Sequence, residues 1–173
     1  MKSFIQGIKN LWRWFPVIWK DRDWDGHFIY EVMRFKISNQ SKYIGEHNRH
    51  TRAKRDSEMM ALTTRLIQRC QDEHYDLEYM DFHEWKLNSL DVDGRPDLME
   101  LDIEDVSDNF DEYFKKYPRQ YKKALSGELN IFGREVGHGN RKVYAMEIAH
   151  ENQDRCRKLL FKIMERNIEG WWD

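Results

Sequence analysis

The chain has 173 residues, of which 40% are hydrophobic, 14% aromatic and 35% charged. That composition fits one folded domain with a modest core and excludes a disordered chain. No run of about 18 apolar residues occurs, which excludes a spanning helix, and Lys2, Lys9 and Arg13 interrupt the first segment, so it does not read as a signal peptide. The net charge of −2 hides a partition: residues 72–112 hold 16 acidic and 2 basic groups, while 1–40, 41–71 and 113–173 carry net +3, +4 and +5. Such asymmetry bears on partners and self-docking rather than on fold.

In chain order, Phe4, Ile8, Leu11, Trp12 and Phe15 recur at helical spacing, which predicts a helix over 3–15 with Ser3 as its N-cap. Pro16 is expected to stop it. A second helix is expected over 26–44, capped by Asp25, with Phe28, Ile29, Val32, Phe35, Ile37 and Ile44 inward and Gly45 at its end. A third, over 51–72, carries Ala53, Met60, Ile67 and Cys70 on one stripe. The helical period lapses in 73–105, where Tyr75, Leu77 and Tyr79 alternate before Trp85 and Leu87. This segment reads as an irregular acidic insertion containing a short hairpin, with Asp93-Gly94-Arg95-Pro96 as a turn. Helical spacing returns with Val106, Phe110, Tyr113, Phe114 and Tyr117; Pro118 starts a new helix and Gly127 ends it. Gly133, Gly137 and Gly139 mark a loop. The last helix, over 141–170, shows one face through Val143, Met146, Ala149, Cys156, Leu160, Ile163 and Asn167. The expectation is a single mainly α domain, a bundle of about five helices interrupted at 73–105. Cys70 and Cys156, far apart in helical patterns, read as reduced packing residues.

Six of the seven tryptophans lie at the two ends: Trp12, Trp14, Trp19, Trp24, Trp171 and Trp172. Tryptophan brings a large apolar area and an N–H that needs a partner, so both ends are expected to pack, closing the bundle or forming a homo-oligomer seam. The first helix has the face of a membrane-surface helix, but burial in the core is the commoner fate of such a face.

Catalytic signatures are missing: there is no G-x-S-x-G, P-loop or Rossmann glycine pattern. The histidines form neither HExxH nor a pairing with CxxC, so zinc has no support. Asp91–Asp97 begins like a calcium loop, but its glycine falls at the fourth place and Asp102 stands at the twelfth. Two local concentrations remain. Asp21-Arg22-Asp23-Trp24-Asp25 reads either as a cap with local ion pairs or as a ligand rim, with Arg22 contacting an anion and Trp24 stacking. His47, Arg49, His50, Arg52, Lys54 and Arg55 crowd the start of the third helix, as a solvated basic face or as a phosphate site at a helix N-terminus.

The segments Trp14-Phe-Pro-Val-Ile-Trp-Lys-Asp-Arg-Asp-Trp-Asp25 and Leu159-Leu-Phe-Lys-Ile-Met-Glu-Arg-Asn-Ile-Glu-Gly-Trp-Trp-Asp173 resemble the ends of a group of small proteins of tailed bacteriophages. The resemblance implies a phage source and work in the host cytoplasm, and carries over no catalytic or binding residue. The combined expectation is a non-enzymatic accessory protein without cofactor or metal. It would bind and sequester a small anionic, nucleotide-like ligand, such as a host immune signalling nucleotide, through Arg22, Trp24, His50, Arg52 and Arg155. A homo-oligomer is expected, and no membrane partner; the near-zero net charge argues against nucleic acid. An alternative is an inhibitor of a host enzyme acting through the acidic 72–112 segment, with Asp102, Glu104, Asp105, Trp171 and Trp172 at the partner. A further alternative is a carboxylate–metal enzyme drawing on Asp21, Asp23, Glu147 and His150.

Overall fold

The computed structural model describes residues 2–22, 24–48, 50–82, 86–89, 99–102, 109–129 and 140–171. Among them the chain is mainly α, with helices α1 (Lys2–Ile18), α2 (His27–His47), α3 (Ala53–Gln71), α4 (His74–Glu78), α5 (Phe110–Lys116), α6 (Pro118–Leu125) and α7 (Arg141–Asn167). Turns of 3-10 helix follow at Tyr79–Phe82 and Glu169–Trp171. Strands β1 (Lys86–Ser89) and β2 (Met99–Asp102) pair antiparallel, with Lys86 opposite Asp102 and Ser89 opposite Met99. The sequence reads as one domain, whereas the contacts divide into two compact units, Met1–Asp72 with Cys156–Asp173 and Glu73–Arg155. The division follows from α7, long enough to give residues to two separate cores.

In the first unit, α1 departs from expectation twice. Ser3 lies inside the helix rather than capping it, and Pro16 does not end it: the helix continues to Ile18. Near a helix end a proline forfeits one backbone hydrogen bond but leaves little helix to disrupt. The larger departure is burial. Val17 is 5% exposed and Trp14 packs edge-on against Phe35 at 4.8 Å between centroids, yet the expected core face points away from the protein. Trp12 and Trp19 are 76% and 72% exposed, and Trp24 beyond the helix is 83% exposed. The same periodicity that marks a core face has here no neighbour among the described residues to cover it.

Helices α2 and α3 form the tightest pair. Asp25 Oδ1 accepts the His27 N–H at 2.9 Å, but the N-cap position of α2 is Gly26, one residue later than expected. Gly45 does not end α2; the helix runs on to His47, and Asn48 closes it in the left-handed region at φ 45°. Gly45 instead permits close approach, because a Cβ there would stand 2.8 Å from Ser57 Oγ. One turn away the helices are clasped by two reciprocal bonds: Ser41 Oγ donates to Ser57 O at 2.8 Å and Ser57 Oγ to Ser41 O at 2.9 Å. The α3-facing side of α2 is therefore Ile37, Ser41 and Gly45, and Ile29 and Val32, expected inward, are exposed. On α3 the expected stripe holds: Ala53, Met60, Ile67 and Cys70 are buried. Cys156 of α7 lies against it, its Sγ 3.7 Å from that of Cys70, and no disulfide joins the two. Burial, reinforced by the neighbouring sulfur, pushes the Cys70 thiol up to about 12.

The second unit opens where Glu73, left-handed at φ 48°, breaks away from α3. The alternation of Tyr75, Leu77 and Tyr79 belongs to α4 and the following turn, not to a strand, so 73–105 is not wholly non-helical. A stretch this short satisfies both periods, and local backbone geometry decides. The hairpin strands lie further on, at β1 and β2; Trp85, the turn at 93–96, Val106 and the glycines at 133, 137 and 139 fall outside the described residues. The core gathers Phe110, Tyr113, Phe114, Ala124, Leu129, Ala145 and Ile148, flanked by Tyr79, Phe82, Tyr117, Tyr121 and Tyr144. Phe114 and Tyr121 stack at 4.0 Å with their planes 4° apart. Pro118 takes the first turn of α6 as expected, and Gly127 adopts φ 77° just beyond its end. Buried Glu78 accepts hydrogen bonds from Lys116 Nζ and Tyr117 Oη. Burial, with that carboxylate close by, pushes the Tyr113 phenol far above its ordinary value.

Candidate functional site

On α1, Asn10, Arg13 and Trp14 stand three and four residues apart, on the side away from the apolar stripe. On α2, Lys36, Asn39, Gln40 and Tyr43 follow the spacing i, i+3, i+4, i+7, which makes one stripe. These two polar faces, with Ile44, His50 and Trp171, line a cavity of about 500 Å³ within the first unit. Its described lining holds two permanent cations, a histidine, three amides and three aromatic rings, and no carboxylate.

Trp171 is set in place by the chain end. Arg52 Nη2 donates to Gly170 O at 3.3 Å, joining residues 118 apart in sequence, and Trp171 is 2% exposed. His50 precedes α3, with Nδ1 3.8 Å from Asp56 Oδ2; Arg52 Nε lies at the same distance from that oxygen. Two buried ring nitrogens of lining residues, His50 Nε2 and Trp171 Nε1, have no hydrogen-bond partner among the described residues. A buried polar atom without a partner costs about 1–3 kcal/mol, and two such atoms belong to residues of this lining. Asp56, buried in the first turn of α3, already supplies negative charge at that helix start. The protein's own carboxylate thus offsets the positive end of α3 that was expected to attract phosphate.

The remaining residues distribute as follows. Arg22 and Trp24 line a separate, more open hollow of about 470 Å³ with Asp21 and Asp25, whose carboxylates suit an anion poorly. Arg22 Nη1 donates to Asp21 O at 3.0 Å. Arg155 is an exposed residue of α7 that lines neither hollow. Asp102 is paired through its backbone in β2, while Asp23, Arg49, Glu104, Asp105 and Trp172 lie outside the described residues. Trp171, expected at a partner, is buried and lines the cavity with His50. Of the carboxylate–metal set, Asp21 belongs to the first unit and Glu147 and His150 to the second, where His150 Nδ1 is 3.7 Å from Asp76 Oδ1. No group of three or more potential metal-holding side chains occurs among the described residues, and none of their helices is long and apolar enough to cross a membrane.

Asn10, Arg13, Trp14, Lys36, Asn39 and Gln40 were not singled out by sequence reasoning. The readable signal was a polar stripe on α2 at the spacing where a core-facing stripe would be apolar. Compared with known protein families, curated proteins and solved structures, the chain matches none. The site stands on its geometry.

Proposed function

We propose that this chain is a non-enzymatic binding protein that takes up a small organic anion with a planar group, of nucleotide type, in the cavity lined by α1, α2, His50 and Trp171. The observation that carries the reading is the lining itself: Arg13, Lys36 and His50 beside three aromatic rings, with no carboxylate among them. Arginine and lysine favour phosphate or carboxylate groups through charge-assisted bonds. Aromatic faces favour a base. The volume falls within the usual range for small-molecule sites, about 300–1,000 Å³. The resemblance of both chain ends to small tailed-phage proteins supports a setting in the infected host's cytoplasm, where sequestering an immune signalling nucleotide would serve the phage.

The test is native mass spectrometry of the full chain purified from bacteria with nucleotide-based defence, followed by titration calorimetry with the released compound and a nucleotide panel. The expected outcome is a stoichiometric nucleotide. Arg13→Ala and His50→Ala should each weaken binding by roughly ten- to a hundredfold, the worth of one hydrogen bond to a charged group, while Arg22→Ala leaves it unchanged. A protein that retains nothing and binds no member of the panel overturns the reading.

A further inference from the structure

Helix α1 carries a second surface that the cavity does not use. At about 100° per residue, Ile18, Leu11, Phe4, Phe15, Ile8, Trp19, Trp12 and Ile5 follow one another around the helix axis over an arc of about 140°. The seven that belong to the helix and Trp19 just past its end are all exposed, from 42% at Ile8 to 76% at Trp12. Next around the axis come exposed Lys9 and Lys20, and beyond them Arg13 at the cavity; every ionisable residue in 2–20 is basic. The opposite side is the one the protein uses, with Val17 buried and Trp14 against Phe35. The helix thus has three longitudinal strips: one against α2, one apolar and uncovered, and one cationic along the apolar edge.

We infer that this face docks on an anionic lipid surface, with α1 lying in the plane of the interface. An occupant must be apolar where it meets the aromatic strip and negative where it meets the lysines. A leaflet with anionic headgroups is both, and tryptophan is the side chain most at home at that boundary. A second copy of the chain satisfies only the first requirement, because a two-fold pairing brings the same cationic edge from each side with no carboxylate on either helix to answer it. The length of α1, 17 residues, suits a helix lying on a bilayer, and no described helix is fit to cross one.

The test is co-sedimentation of the full chain with vesicles of phosphatidylcholine alone or mixed with phosphatidylglycerol, at low and high salt. The expected result is capture by the mixed vesicles at least about tenfold stronger than by the neutral ones, weakening as salt rises. The double variant Leu11→Glu/Trp12→Glu should abolish capture, and Lys9→Glu/Lys20→Glu should reduce it at least about tenfold. All four side chains are exposed and line neither of the two hollows described, so both variants should keep the wild-type circular dichroism. Failure of the mixed vesicles to retain the protein, or equal retention by neutral vesicles, overturns the inference. An oligomer that Leu11→Glu/Trp12→Glu converts to monomer, together with absent vesicle binding, assigns the face to a second copy instead. Nucleotide binding in the cavity is read separately and stands or falls on its own.

Discussion

Two aromatic stripes in this chain have nearly the same spacing and opposite fates. Phe4, Ile8, Leu11, Trp12 and Phe15 lie in solvent on α1, while Phe110, Tyr113, Phe114, Tyr117 and Tyr121 build the core of the second unit. Periodicity reports that a face is apolar and nothing about what covers it. On α5 and α6 the cover is supplied within the unit by Tyr79, Phe82, Tyr144 and Ile148. On α1 the side of Trp14 packs against Phe35 of α2, opposite the exposed stripe.

The sharpest way to test this contrast is to truncate one side chain from each stripe. Phe110→Ala removes a fully buried ring and should destabilise its unit by about 3–5 kcal/mol in denaturant melts. A cost below about 1 kcal/mol would mean that the core is not packed as described. Next in size is the helix pair that holds α1's partner in place. Gly45→Ala gains helix propensity worth about 1 kcal/mol but pushes Ser57 Oγ off its bond to Ser41, so alone it should be near neutral. Made on a Ser57→Ala background, the same change should stabilise by up to about 1 kcal/mol, a coupling that a double-mutant cycle reads directly.

A smaller effect depends on pH. Burial opposes the charge on Glu31, but hydrogen bonds from Arg34 at 2.8 Å and Gln71 at 3.1 Å outweigh it and hold the carboxyl below its ordinary range. The folded state therefore binds this proton less readily than the unfolded chain. The stabilisation is fully present above the ordinary carboxylate range and is lost as pH falls through the lowered folded value. Glu31→Gln should cost about 0.5 kcal/mol near neutrality and nothing at strongly acid pH. Melts at both pH values decide it. Smallest of all is Trp12→Ser, at the opposite pole from Phe110: removing a 76% exposed indole should shift stability by no more than about 0.5 kcal/mol.

Much of the scaffold was legible in the residues. The α3 stripe, the Pro118 start and the left-handed Gly127 all follow local rules that the sequence states outright. Pro16 and Gly45 were misread because each is usually punctuation, and here one sits in a final turn and the other at a crowded helix crossing. The cavity was half legible. His50 and its basic neighbourhood stood out, but the meeting of His50 with Trp171 depends on Arg52 reaching the chain end, a contact no periodicity encodes. Arg13 and Trp14 were hidden behind the louder apolar pattern of their own helix.

The pair Cys70 and Cys156 has a practical corollary. These are the chain's two cysteines, both are buried, and the Cys70 thiol stays protonated at any ordinary working pH. The native protein should therefore be nearly silent to maleimide dyes, since the thiolate is the reactive form. A single cysteine introduced at exposed Leu11 would then carry a fluorophore or spin label without background, turning α1 into its own reporter of what it touches.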